Sequence, residues 1–325
     1  MLSACLAAEQ AIGLNLILRY LAQNQYAFTS ITPLTHQRVL DRRGGQPGET
    51  LRDIFGWNLP FAATALPEGL LTAMLSCGLA RPSGGLLQTS IRVSSIGDDL
   101  FLHSGYPTAA DDAVFFGPDT YRFARFIEHG IAADFAATAQ RLRILDVGCG
   151  SGAGGIVAAR GLNHHGPQDL IMNDINPLAL QYTAVNAAFA GLGVTLAPGD
   201  ALSAVAGEFD LIISNPPYLD DAAQRAYRHG GARLGRALSV RIAAEALGRL
   251  APGGRLLLYT GVAIRDGVDP FLAEVKPLLE AAGCSWSYAE IDPDVFGEEL
   301  EQAVYAQVDR IAAVGLIAKR KLGRV

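Results

Sequence analysis

With 325 residues the chain is too long for one comfortable hydrophobic core, so two domains of unequal size are expected. Half the residues are hydrophobic, 18% are charged and 36 are glycine, which excludes a disordered or fibrous chain and fits a buried α/β core with many tight turns. A formal net charge of −6 provides no long-range positive field for a phosphate backbone, so nucleic acid is disfavoured as a partner.

The first apolar stretch, Ala11 to Leu18, contains Asn15, follows Glu9 and ends at Arg19 without a basic leader. It reads as an amphipathic helix, neither an export signal nor a membrane span. The run DRRGGQPGE (41–49) holds no apolar residue and predicts a loop. Leu70, Leu71, Met74, Leu75 and Leu79 recur at helical spacing, and the turn PSGG (82–85) then leads into the alternating run LLQTSIRVSSI. A helix followed by a two-stranded wing fits a winged-helix-like module and equally a domain that covers a catalytic core or binds substrate. Residues 1–105 carry as many basic as acidic side chains, so the acidic excess lies in the remainder.

After Tyr106 strands alternate with helices, the pattern of a parallel sheet with helices on both faces. Seven strands are expected: RILDVG (143–148), DLIMND (169–174), VTLAPGD (194–200), FDLIISN (209–215), GRLLLYTG (254–261), SWSYAEID (285–292) and RIAAVGLIAKR (310–320). The expected architecture is an α+β domain over 1–105 and, over 106–325, an α/β domain with a seven-stranded, mostly parallel, Rossmann-like sheet. Cys5, Cys77, Cys149 and Cys284 are widely spaced with no CxxC pair, which argues against a zinc site or a disulfide scaffold and for reduced thiols in a cytoplasmic setting.

The strongest local feature is Asp146-Val147-Gly148-Cys149-Gly150-Ser151-Gly152-Ala153-Gly154, which follows a buried strand and opens a helix. Glycines there let the backbone turn sharply and approach a ligand closely. Gly148, Gly150 and Ala153 also satisfy the dinucleotide fingerprint, so an NAD-dependent oxidoreductase is the competing reading at this step. Asp146 before the first glycine favours a cationic ligand bearing an ammonium or sulfonium and repels a pyrophosphate. Asp174 closes the second strand, where a carboxylate can accept both hydrogen bonds of a ribose diol. At the third strand's end the Asp200 carboxylate and the Ala201 N–H can read an adenine amino group and ring nitrogen; a solvated turn aspartate is the alternative.

Asn215-Pro216-Pro217-Tyr218 closes the fourth strand. Two prolines fix φ and remove two backbone donors, so the turn is rigid and presents acceptors. The Asn215 side-chain oxygen and the Pro216 carbonyl can take both hydrogens of an NH₂ group, with Pro217 and the Tyr218 ring bordering the flat group that carries it. Holding both N–H bonds encourages a delocalised nitrogen to pyramidalise and aims its lone pair at an electrophilic methyl.

In their order along the chain, DVGCGSG, NDINPLALQYTAVNA, LIISNPPY and LAPGGRLLLY resemble the class I methyltransferases that use S-adenosylmethionine. Within that class they are similar to the NPPY-containing group that includes the release-factor glutamine N5-methyltransferases. The resemblance runs from about Phe115 to the C-terminus. It implies S-adenosylmethionine as cofactor, Asp146, Gly148, Gly150, Gly152, Asp174, Asp200, Ala201 and Asn215 as its contacts, and no metal. The family's PR-x-x-TE element is replaced here by Gly117-Pro118-Asp119-Thr120-Tyr121, which keeps the Pro and Thr and loses the Arg and Glu; Thr120 is carried over as a donor contact. The implied acceptor is a protein glutamine, with adenine N6 or guanine N2 of a nucleic acid as the alternative.

Tyr227-Arg228-His229-Gly230-Gly231 resembles the glycine stretch that follows NPPY in the glutamine methyltransferases, and reads either as a substrate wall or as a loop leading into the helix expected over 241–250. His164, His165 and His229 are expected at the surface. The basic end from Lys319 to Arg324 reads as a solvated tail. The distinctive run EIDPDVFGEEL (290–300) receives no role from sequence alone.

Overall fold

The computed structural model describes residues 2–132, 135 and 140–322. The chain divides into two units, Met1–Tyr121 with Gln181–Gly193, and Arg122–Leu180 with Val194–Val325.

In the first unit, helix α1 (Leu2–Gln23) buries Leu14, Ile17, Leu18 and Leu21, a spacing of three and four residues that sets one apolar face. Helix α2 (Pro33–Arg43) starts where the Thr32 side chain accepts the Thr35 N–H and Pro33 fills the first turn, and it ends at Gly44 in the left-handed region. Asp41 to Arg43, expected in a loop, therefore complete the helix. Gln37 donates to the Asp41 carboxylate one turn on (2.7 Å), and Arg42 and Arg43 sit at the favourable end of the dipole.

Helix α3 (Glu68–Ser76) precedes a hairpin of β1 (Ala80–Ser83) and β2 (Leu86–Thr89), joined by Gly84 and Gly85, both at positive φ. A helix followed by a two-stranded hairpin is thus present, with the PSGG turn at the hairpin's tip. A second antiparallel hairpin, β3 (Ile91–Ile96) and β4 (Asp99–Ser104), follows directly. The run LLQTSIRVSSI is divided between the two hairpins at Ser90, whose N–H donates to the Leu79 carbonyl (3.0 Å) instead of continuing one ladder.

The second unit carries the remaining elements in alternation: α4 (Pro118–Ala132, beginning in the first unit), β5 (Leu142–Val147), α5 (Ala153–Gly161), β6 (Gln168–Asp174), α6 (Pro177–Phe189), β7 (Val194–Pro198), β8 (Phe209–Ser214), α7 (Ala237–Leu247), β9 (Leu250–Ile264), α8 (Pro270–Ala281), β10 (Ser285–Asp292) and β11 (Arg310–Lys319). The seven strands expected from sequence form one sheet in the order β10-β11-β9-β8-β5-β6-β7. β9, β8, β5, β6 and β7 are parallel, and β11 runs antiparallel between β9 and β10. The central strands read as continuous apolar runs because helices cover both faces: Ile144, Leu145, Leu211, Ile212, Leu257 and Leu258 have no exposed surface. Chain order reverses between β5 and β8, and the carboxyl edge at such a switch point is where open α/β sheets hold ligands.

Helix α6 is split between the units after Leu180. Its Asn186 side chain, fully buried, accepts the Leu102 N–H (2.9 Å) and donates to the Leu102 carbonyl (3.2 Å). That pairing satisfies the backbone of β4 on the side away from β3.

Candidate active site

Strand register brings the singled-out residues to one edge. Val147 pairs with Asn173 of β6 and Ser214 of β8, so Gly148, Asp174 and Asn215 each follow at the same level. The Ser214 hydroxyl donates to the Val147 carbonyl (2.8 Å), locking β8 to β5 at that level. The buried Asn173 amide donates to the carbonyls of Ala197 and Gly199 (2.8 and 2.9 Å) and fastens the end of β7.

The loop after β5 takes the left-handed conformation at Gly148, Gly150 and Gly152, with φ of 71°, 55° and 80°, which L side chains rarely adopt. A Cβ added at Gly148 or Gly150 would point into open space, leaving the backbone accessible to a ligand. The N–H groups of Gly148 and Cys149 both donate to the Asn173 carbonyl (2.9 Å each).

Asp146 lies beneath the loop, 1% exposed, and accepts the Gly155 N–H (2.7 Å). Burial pushes its carboxyl up to about 7, and the nearby Asp174 charge adds to the effect. Asp174 accepts N–H bonds from Gly150 and Asn176 (2.8 Å each). Burial raises its carboxyl above the usual carboxylate range, against those bonds.

At the end of β7 the Asp200 carboxylate is held by both terminal nitrogens of Arg241 (2.7 and 2.6 Å), which draws its carboxyl below the ordinary value. Nothing local in the sequence signals that pair. Ala201 sits at φ 46°, 8% exposed, and its N–H has no partner among the described residues.

Asn215 is half-buried, and neither its carboxamide nor the Pro216 carbonyl has a hydrogen-bond partner among the described residues. The Tyr218 ring is 7% exposed and lies against Gly261 of β9, where a Cβ would collide with it. The following loop is tied back on this turn. Leu219 donates to the Arg228 carbonyl (3.1 Å), Gly230 donates to the Leu219 carbonyl (2.8 Å), and a Cβ at Gly230 would strike the Pro217 and Gly235 carbonyls. The Tyr227–Gly231 stretch therefore packs against the NPPY turn and also leads into α7, which begins at Ala237, earlier than expected.

Thr120 lies in the first turn of α4, within the first unit, and its hydroxyl accepts the Gly117 N–H (3.3 Å). His164 is exposed, while His165 and His229 are half-buried with an Nδ1 that has no hydrogen-bond partner among the described residues. Among the described residues Cys77, Cys149 and Cys284 form no disulfide, no cluster could hold a metal, and no helix is long and apolar enough to cross a membrane. Gly323 and Arg324 of the basic end lie outside the described residues.

Residues 131–265, from the end of α4 through β9, match the family profile described as the methyltransferase small domain. The chain is 37% identical to the release factor glutamine methyltransferase of Deinococcus radiodurans over 172 residues, 49% of this chain and 56% of that protein. It is 38% identical to the ribosomal RNA small subunit methyltransferase C of Pasteurella multocida over 116 residues, 36% of this chain and 31% of that protein. The chain thus spans little more than half the length of the first of these relatives. The solved T. thermophilus 16S rRNA N2 G1207 methyltransferase, in complex with AdoMet and guanosine, aligns with a TM-score of 0.45 and 17% identity, covering 78% of this chain and 62% of that one.

Proposed function

We propose that this chain methylates a planar amide or amino nitrogen, with a protein glutamine side chain as the acceptor. The observation that carries the reading is a pair of acceptors without partners among the described residues, the Asn215 carboxamide and the Pro216 carbonyl, at the carboxyl end of β8 beside the glycine loop.

S-adenosylmethionine, when bound, supplies a methyl group on a positively charged sulfur. In this reading the backbone of Gly148, Gly150 and Gly152 borders it, Asp174 accepts its ribose hydroxyls, and Ala201 donates to the adenine ring with Asp200 beside the amino group. Asp146 contributes its charge from beneath the loop. The Asn215 oxygen and the Pro216 carbonyl accept the two N–H bonds of the acceptor, so the nitrogen lone pair faces the methyl. The bound cofactor would supply the methyl, its sulfur keeping the C–S electron pair, while Asn215 and Pro216 hold the nitrogen until its proton leaves after transfer. No strong base is required, and fixing the two reactants in line contributes on the order of 7–11 kcal/mol of barrier lowering.

Two features support protein over nucleic acid. The net charge is −6, and α3, the helix before the wing, has the sequence EGLLTAMLS, with no lysine or arginine to meet a phosphate. The test is transfer of tritiated methyl groups from S-adenosylmethionine into a cell extract separated into protein, RNA and DNA. Label in protein, recovered as N5-methylglutamine, is the expected result. Label confined to RNA or DNA would move the acceptor to a base amine.

A further inference from the structure

The run EIDPDVFGEEL, to which the sequence assigned no role, folds against the NPPY turn. Val295 donates to the Ile311 carbonyl (2.8 Å), and Arg310 donates to the Pro293 carbonyl (2.9 Å), anchoring the run to β11. From there the chain reaches the loop that follows the turn. Glu299, 4% exposed, pairs with Arg228, and the Tyr305 hydroxyl accepts the Asp220 N–H (2.7 Å). Between these ties stands Phe296. Its φ of 54° and ψ of 41° place a bulky L residue in the left-handed region, where the chain favours glycine. Such strain persists only where the surroundings impose it, and it is common at ligand clamps.

The retained ring has a specific neighbour. Its centroid lies 5.9 Å from that of Tyr218, with the planes inclined by 69°. The Tyr218 ring is itself nearly all buried and lies against Gly261. Phe296 remains half-buried, so its ring offers aromatic surface beside the turn that a flat group can still reach. We propose that Phe296 is a specificity-determining residue that bears directly on the planar acceptor, with Glu299, Arg228 and Tyr305 as positioning residues that hold its segment in place. The proposal rests on the methyl-transfer reading above.

The test uses the full chain and measures the rate of tritiated methyl incorporation at increasing extract concentration, which yields a half-saturating acceptor level and a limiting rate. Dissociation of S-adenosylmethionine is measured in parallel by calorimetry, and Tm by scanning. Phe296→Gly removes the ring and suits the left-handed backbone, so folding is preserved. It is expected to keep or raise Tm, to leave the cofactor Kd within about twofold, and to raise the half-saturating level about tenfold, the scale of one lost aromatic contact. Phe296→Tyr, which keeps the ring, is expected to behave as wild type. A Phe296→Gly protein that saturates like wild type would overturn the proposal, as would one that loses Tm and cofactor binding together, since the ring would then be structural. Wild-type protein that binds S-adenosylmethionine yet labels no fraction would instead bring down the methyl-transfer reading, and this proposal with it.

Discussion

Among the described residues the Asn215 carboxamide and the Pro216 carbonyl at the end of β8 have no hydrogen-bond partner, and in the proposed reading their main task is to hold the methyl acceptor. Asn215→Ala is expected to leave S-adenosylmethionine affinity nearly unchanged and to cut turnover by about two to four orders of magnitude, the scale of losing a positioned site group. Calorimetry and single-turnover rates check the two halves of that statement. Asp146 makes a pH-dependent claim. With its carboxyl at about 7, it is protonated below neutrality in the native protein, so a cationic cofactor meets less negative charge there. Affinity for S-adenosylmethionine should therefore climb as pH rises from about 6 to 8, with proton release on binding, and Asp146→Asn should flatten the slope. The folded-state pKa lies above the unfolded one, so the native state holds a proton that the unfolded chain has lost. Stability of the cofactor-free protein from this group thus falls as pH rises between about 4 and 7. A slope of the opposite sign in denaturant titrations would contradict the assignment.

At the scale of elements, β9 and the NPPY turn are fitted to each other through a missing side chain. Gly261 leaves room in the strand for the Tyr218 ring, which fills the place of its Cβ. Gly261→Ala is expected to cost about 1–3 kcal/mol, as overpacking of a filled interior does, and to lower turnover by displacing the turn. Denaturant unfolding together with methyl-transfer rates measures both. The elements themselves were legible, because apolar runs ending in Asp146, Asp174 and Asn215 carry their own boundaries in the sequence. What joins them over long separations was not. Asp200 meets Arg241 from 41 residues away, and Glu299 meets Arg228 from 71. No local propensity encodes such pairs, and a left-handed phenylalanine at 296 runs against every local preference. The loop expected over 41–49 was misjudged at its start because Gln37, Asp41 and the two arginines stabilise a helix that has no apolar periodicity of its own there.

On the scale of the whole molecule, the two units are interleaved in sequence, since Gln181–Gly193 returns to the N-terminal one. Tyr182, Val185, Asn186 and Ala187 of α6 are buried, with Asn186 committed to the Leu102 backbone. Removal of residues 1–105 is therefore expected to expose this face and yield a fragment that aggregates or unfolds at lower temperature than the full chain, as light scattering and thermal scanning would show. The central claim, that the carboxyl edge at the β5–β8 switch holds S-adenosylmethionine, is tested most directly by calorimetric titration of the full chain with that compound, in wild type and in Asp174→Ala. The account predicts saturable binding of a single molecule per chain, weakened by about tenfold or more when the ribose acceptor is removed. Absence of binding in the wild type, or an Asp174→Ala protein with an unaltered dissociation constant, would contradict it.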